Sequence, residues 1–154
     1  MTGQLIVRAG DDADAFEDGP DRGRVLVHGG DTGGAYGLME LVVAPAAPGP
    51  AAYGAHLHGR CDETFFVLAG TLEFLLREEV LTLAVGDFVR VPAGVRHGYA
   101  NVSGAHVKLL VGFHPAGLEA LFLKYRSDGG RPADGPGFKT EAERLFGSVF
   151  DLDR

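Results

Sequence analysis

Apolar residues along the chain recur in short segments that are separated by turn-forming residues. Glycine or proline occupies most of the gaps, as in the proline-rich loop at 45–50. Many short strands at close spacing predict an all-β sandwich or barrel. The predicted strands are residues 5–7, 25–27, 36–44, 63–68, 71–76, 80–84, 87–91, 99–102 and 107–113.

Two C-terminal segments follow a helical period instead. Residues 117–125 carry apolar side chains at positions i, i+3, i+4 and i+7, which predicts an amphipathic helix with its apolar stripe against the barrel. The same spacing recurs from Ala142 to Val149, and Thr140 followed by Glu143 has the pattern of a capping box at a helix start. The glycine- and proline-rich residues 127–137 are expected to form a flexible connector between the two helices.

The length of the chain favours one domain. With 154 residues it is close to the usual size of a single domain, and 45% hydrophobic and 23% charged residues are typical of globular proteins. We therefore expect one domain over 1–154, with a barrel core at about 36–114 and a helical C-terminal extension at about 116–152.

Net charge indicates which partners to expect, and cysteine content indicates which compartment. The formal net charge of −7 disfavours nucleic acid and anionic membranes as partners. Cys61 is the only cysteine, so the chain cannot contain an internal disulfide, which fits a reducing compartment. Neither a signal-peptide core nor an apolar run of about 20 residues is present. We expect a soluble cytoplasmic protein that acts on a small molecule.

Two histidines lie one residue apart near the middle of the chain. In an extended strand His56 and His58 point to the same face, so their imidazoles can bind one ion. The turn after His58 can bring Glu63, at the start of the next strand, beside them. By itself this cluster is equally compatible with an ordinary polar turn.

A second segment offers a distant ligand for the same site. Pro92 and Gly94 specify a tight turn, because proline fixes φ and glycine permits positive φ. His97 follows three residues later and is directed back along the next strand. The two segments together indicate a metal site more strongly than either one.

Both segments resemble the conserved motifs of the cupin superfamily. His56, His58, Glu63 and Gly70 match the first motif, G-x5-H-x-H-x(3,4)-E-x6-G, except that Pro50 occupies the position of its leading glycine. Every position of the second motif, G-x5-P-x-G-x2-H-x3-N, is filled by the residues Gly86, Pro92, Gly94, His97 and Asn101.

The resemblance implies a fold and a metal site. The fold would be a double-stranded β-helix, or jelly-roll barrel, with one or two C-terminal helices. His56, His58, Glu63 and His97 would bind one divalent metal ion, for which mixed nitrogen and oxygen ligands allow Fe, Mn, Ni, Co, Cu or Zn. A homodimer is also expected by resemblance.

Several neighbouring residues have a candidate role at such a site. Glu63 is the candidate catalytic base as well as a ligand, as the resemblance suggests. Tyr99 lies two residues after His97 on the same strand, and Phe65 shares a strand face with Glu63, so both are candidates for the substrate pocket. Cys61 is expected to be a passive small side chain. Arg60 and Arg96 are expected to be solvated, with steering of an anionic substrate as the alternative.

By this resemblance we expect a metal-dependent enzyme similar to quercetinase-like dioxygenases, acting on a small enolic or phenolic substrate. One alternative is a metal-dependent cyclase or isomerase, which would polarise a carbonyl without consuming oxygen. Another is a non-catalytic cupin that binds a small molecule for sensing or storage. One barrel hosts many chemistries, so the fold leaves these alternatives open.

Overall fold

Nine strands form two antiparallel sheets in the computed structural model, which describes residues 5–8, 10, 13–126 and 134–152. The strand order is β1-β2-β3-β9-β4-β7 in the large sheet and β6-β5-β8 in the small one. The strands are β1 (Asp14–Asp18), β2 (Asp21–Val27), β3 (Gly37–Val43), β4 (Asp62–Ala69), β5 (Leu72–Leu76), β6 (Glu79–Leu83), β7 (Phe88–Val91), β8 (His97–Ala100) and β9 (Val107–His114).

The predicted strands from residue 25 onward are confirmed, with small changes at their ends. The prediction at 5–7 is wrong, because this segment has no regular structure and Leu5 is 91% exposed. The predictions omitted β1, whose polar sequence DAFED buries only Phe16. Its strand conformation depends on pairing with β2, which a local hydrophobic pattern does not reveal.

The large sheet begins well before the predicted core boundary at about residue 36. β1 and β2 form a hairpin, and β2 pairs with β3 from Arg22 to Val27. The glycine-rich residues 28–34 connect β2 to β3 and contain a short 3-10 turn at Gly29–Thr32. The N-terminal hairpin therefore widens the sheet that carries the central strands.

Alternation of side chains along the central strands builds the core. In β3, every second residue from Gly37 to Val43 is buried, and β4 and β9 show similar inward-facing rows. These rows face the small sheet, from which Leu72 and Phe74 reach the same hydrophobic core. Burial of alternate residues is the expected result when one face of a sheet is covered.

Two helices follow the last strand. α1 (Leu118–Lys124) confirms the first helical prediction, and its Leu118 and Leu121 are buried. α2 spans Gly135–Phe146. Among the described residues, no helix is long and apolar enough to cross a membrane.

The predicted start of the second helix at Thr140 is wrong. Asp134 is the N-cap, and its carboxylate accepts a hydrogen bond from the backbone N–H of Gly137 at 2.9 Å. Pro136 lies in the first turn, where backbone N–H groups have no acceptor within the helix, so the N–H that proline lacks is not missed. Thr140 is in the interior of the helix, with its hydroxyl donating to the carbonyl of Pro136 at 3.0 Å. Of the predicted connector 127–137, residues 127–133 lie outside the described part and 135–137 are helical.

Candidate metal centre

The His56–His58 segment lies beside β8 of the small sheet. His56 and His97 exchange both backbone hydrogen bonds, at 2.9 and 2.8 Å, so their side chains are neighbours. Gly98 makes this approach possible, because a Cβ atom at that position would lie 2.3 Å from the carbonyl oxygen of Tyr53. The turn at Gly94 is also attached here, since its N–H donates to the carbonyl of His58 at 2.7 Å.

Glu63 approaches the histidines from the opposite sheet. It lies at the start of β4, between Val91 of β7 and Phe113 of β9. Its side chain points inward and the residue is only 6% exposed. One potential ligand atom from each of His56, His58, Glu63 and His97 lies within 4.8 Å of the others. The structure therefore brings together all four residues that the sequence indicated.

Hydrogen bonds at Nδ1 orient the three imidazole rings. Nδ1 contacts the carbonyl oxygen of Gly54 at 2.8 Å in His56, the hydroxyl of Ser148 at 2.7 Å in His58, and the carbonyl oxygen of Val95 at 2.9 Å in His97. A carbonyl only accepts, so Nδ1 of His56 and His97 carries the proton, and in a neutral ring the Nε2 lone pair is free to bind a cation.

The carboxylate of Glu63 lies against two of these Nε2 atoms. Its Oε2 is 2.8 Å from Nε2 of His97 and 3.2 Å from Nε2 of His58. A lone pair facing a carboxylate oxygen at this distance needs a shared cation, which is either a proton or a metal ion. Buried imidazole nitrogens with one carboxylate are a donor set that suits a divalent transition metal.

The pKa values of the cluster follow from burial and mutual charge. Burial, together with the neighbouring His97, lowers the pKa of His56 to about 4. Burial acts against the charged forms of His97 and Glu63 as well. Their mutual hydrogen bond and attraction outweigh it, so the pKa of His97 is raised and that of Glu63, which also contacts His58, is lowered. The cluster therefore favours an ionised carboxylate next to positive charge.

A cavity of about 290 Å³ opens from this cluster. Apolar side chains of β3 and β9 line one side of it: Met39, Leu41, Val111 and Phe113. The C-terminal extension covers another side with mostly aromatic residues: Leu118, Phe122, Tyr125, Phe138 and Phe150. Charged residues of both signs complete the lining: Glu17, Asp18, Arg126, Asp134 and Lys139. The metal-binding group thus lies in a cavity that is mainly apolar.

Both predicted pocket residues line this cavity. The Phe65 ring lies 6.0 Å from the ring of His97 and 6.0 Å from that of Tyr99. Burial and then the nearby carboxylates of Asp21 and Glu63 raise the pKa of Tyr99, so its hydroxyl keeps its proton. Among the described residues, this hydroxyl has no hydrogen-bond partner.

The other neighbours of the site have structural contacts. Cys61 does not belong to the four-residue group and is 2% exposed, and burial raises the pKa of its thiol to about 12. The guanidinium of Arg60 donates to the carbonyls of Arg144 and Leu145, and that of Arg96 to the carbonyls of Leu152 and Arg77. Both arginines therefore contact the C-terminal extension. Arg60 is nevertheless exposed, as expected, whereas Arg96 is half-buried.

Sequence reasoning missed the residues of the C-terminal extension that reach the site. Ser148 contacts His58, and the ring of Phe150 stacks on that of His56 at 5.8 Å with 21° between the ring planes. The signal in the sequence is Gly147, a residue type that commonly follows the last turn of a helix. It does not indicate which segment the residues after it pair with.

The comparisons with known proteins agree with this fold. Residues 42–113 match the family described as "Cupin domain". Residues 42–113 thus match a cupin domain, and the described part of the chain has β-strands in two sheets followed by two C-terminal helices. The sequence has no match among curated proteins.

Several solved structures have the same fold. KdgF from Halomonas sp. is 20% identical with a TM-score of 0.61, and the alignment covers 75% of this chain and 96% of that one. The nucleoside dehydratase Pac13 from Streptomyces is 16% identical with a TM-score of 0.59, covering 74% and 85%. The polyketide cyclase RemF from Streptomyces resistomycificus is 21% identical with a TM-score of 0.57, covering 72% and 80%. At these identities the likeness establishes the fold alone.

Proposed function

We propose that the protein is a metal-dependent cupin enzyme, and specifically a dioxygenase that acts on a small enolic or phenolic substrate. The observation that carries the proposal is the group of three histidines and one glutamate at a mainly apolar cavity of about 290 Å³. His56, His58, Glu63 and His97 would hold one divalent ion. Bound there, the ion would supply Lewis-acid chemistry and activate oxygen ligands.

The protein's own residues suit such a substrate. The aromatic and aliphatic walls favour a flat apolar body, which would pack beside Phe65. The ionised carboxylate of Glu63 could accept the proton of the substrate hydroxyl. The hydroxyl of Tyr99 keeps its proton and could donate a hydrogen bond to a substrate oxygen.

The first alternative is a metal-dependent cyclase or isomerase. The same polarised site could act on a carbonyl without oxygen, and two solved structures with this fold are described as a dehydratase and a polyketide cyclase. Those activities belong to those proteins, and the low identity does not transfer them. The second alternative is a cupin that binds a small molecule without turnover.

Metal binding is tested by elemental analysis of the purified protein and its variants. We expect about one divalent ion per chain in the wild type and strong loss of metal in His97→Ala, because His97 is 1% exposed and contacts Glu63. His106→Ala is the matched control, since His106 is exposed and outside the four-residue group. Equal metal content in wild type and His97→Ala would contradict the proposed ligand set.

The reaction class is tested by oxygen uptake. The metal-loaded protein should consume oxygen with a panel of flavonols and enediols, and His97→Ala should not. Turnover under strict anaerobiosis would rule out the dioxygenase and favour the cyclase or isomerase. Thermal stabilisation by a ligand without any product, at full metal occupancy, would instead favour the non-catalytic binder.

The proposal also covers the cellular location, the oligomeric state and the partners of the protein. We propose a cytoplasmic homodimer that acts on a small molecule and binds neither nucleic acid nor membrane, consistent with a net charge of −7. A dimer would cover apolar side chains that are exposed on the single chain, such as Val85 at 64% and Phe88 at 61%. Iron is one of the candidate metals, with Mn, Ni, Co, Cu and Zn as the others.

A further inference from the structure

The C-terminal residues 147–152, here called the C-terminal clasp, run antiparallel to the segment that carries His56 and His58. Leu57 and Val149 exchange both backbone hydrogen bonds at 2.9 Å. On either side, the N–H of Gly59 donates to the carbonyl of Gly147 at 3.1 Å, and the N–H of Leu152 to that of Ala55 at 2.9 Å. The clasp thus behaves as an additional strand beside the ligand segment.

Alternation along the clasp directs two side chains toward the ligands. Val149 faces outward and is 46% exposed, whereas Ser148 is 1% exposed. The Ser148 hydroxyl lies 2.7 Å from Nδ1 of His58, a residue 90 positions earlier that is itself only 5% exposed. Phe150, two residues further on, stacks on His56.

The Ser148 contact orients the His58 ring so that its Nε2 atom faces the cluster. When Nδ1–H donates to the hydroxyl, the lone pair of the neutral ring is on Nε2, which is the atom that faces Glu63. The carbonyls that do the same for His56 and His97 lie two residues from their own histidines, at Gly54 and Val95. Of these three partners, only that of His58 comes from a distant part of the chain.

We propose that Ser148 is a positioning residue that sets the orientation of the His58 ring, and that metal binding and docking of the clasp therefore stabilise each other. The proposal rests on the proposed function insofar as His58 is a metal ligand. Hydrogen-bond partners of ligating histidines fix the ring and support metal affinity. Because coupling between two binding events is reciprocal, a clasp that strengthens metal binding is itself strengthened by the metal.

The first test is Zn²⁺ affinity measured by competition with a chromophoric chelator. Ser148→Ala should weaken Zn²⁺ binding by about 10- to 100-fold, the usual effect of removing such a partner. Thr140→Ala is the matched control, because it removes a hydroxyl from an exposed position of α2, where that hydroxyl donates to the carbonyl of Pro136. The control should bind Zn²⁺ like the wild type.

The outcomes separate this proposal from the one above. If the wild type binds no Zn²⁺ or other divalent metal, the proposed metal site is wrong. If the wild type binds Zn²⁺ and Ser148→Ala binds it equally well, the metal site stands and the role of Ser148 is overturned. Thermal unfolding without metal checks that Ser148→Ala folds, and a serine-to-alanine change at this position adds no atoms to the core.

The second test uses readouts that a merely structural role would not change. In NMR spectra of the Zn²⁺-loaded protein, the Nδ1–H proton of His58 should exchange slowly with solvent in the wild type and faster in Ser148→Ala, which lacks its acceptor. Zn²⁺ should also slow hydrogen exchange of the Leu57 and Val149 amides, and slow it less in Ser148→Ala. Equal exchange of the His58 Nδ1–H proton, or equal slowing of the two amides by Zn²⁺, in wild type and Ser148→Ala would overturn the coupling.

Discussion

At the scale of single residues, burial decides between reactive and passive side chains near the site. Cys61 lies two positions before Glu63 in the sequence, yet it is 2% exposed and its sulfur lies within 3.5 Å of the carbonyls of Asp62 and Pro115. Since the thiolate is the nucleophile and burial raises the pKa of this thiol to about 12, the side chain is held in its unreactive form.

We therefore expect Cys61 to resist alkylation in the folded protein. At pH 8 the thiolate fraction would be on the order of 10⁻⁴, because the pKa is about four units higher than the pH. Iodoacetamide labelling followed by intact-mass analysis should be negligible under native conditions and complete after unfolding in guanidinium. Native labelling as fast as that of a free thiol would show that the side chain is accessible.

At the scale of elements, a buried carboxylate attaches α1 to the barrel. Glu119 is 1% exposed, and its two oxygens accept hydrogen bonds from the N–H groups of Gly29 at 2.9 Å and Gly117 at 2.7 Å. Gly37 provides the space, because a Cβ atom there would lie 2.3 Å from the Glu119 carboxyl carbon. α1 carries Phe122, so this contact also positions one wall of the cavity.

Glu119→Ala should lower the free energy of unfolding by about 2–4 kcal/mol, because two backbone donors lose their acceptor and a cavity remains. Urea unfolding in the presence of chelator measures this without a contribution from metal. Glu143→Ala on the exposed side of α2 is the control and should change stability by less than about 0.5 kcal/mol. A similar small change for Glu119→Ala would mean that α1 is held by its apolar contacts alone.

At the scale of the whole molecule, the candidate site joins the two sheets. Glu63 belongs to β4 of the large sheet, whereas His97 belongs to β8 of the small sheet and His56 is bridged to it. An ion bound by all four residues would connect the sheets on the inside of the barrel. Its binding free energy would therefore add to the stability of the fold as a whole.

Metal removal should lower the melting temperature of the entire protein. At a free metal concentration 100 times the Kd, binding contributes about 2.7 kcal/mol, which corresponds to a rise of about 5–11 °C for a chain of this size. Differential scanning calorimetry with Zn²⁺ and then with excess chelator measures the shift. His97→Ala should show no shift with Zn²⁺, and a shift equal to that of the wild type would indicate binding elsewhere.

Much of the fold and the four-residue group could be predicted from the sequence, because both depend on short-range patterns. Alternation and turn residues indicated eight of the nine strands in the described part of the chain. The two-residue spacing of His56 and His58 predicted that both imidazoles lie on one face. The start of α2 was not predictable in this way. Asp134 and Thr140 each have a local capping pattern, and the choice between them depends on packing of the complete helix.

The sequence by itself determined the strand pattern of the barrel, the spacing of His56, His58, Glu63 and His97, and the match of residues 42–113 to a cupin domain. Only the tertiary structure decided what surrounds those four residues. The contact of Ser148 with His58 and the aromatic wall from the C-terminal helices join segments far apart in the chain. Periodicity reports which face of a segment is buried, whereas the partner it is buried against is set by the packing of the whole molecule.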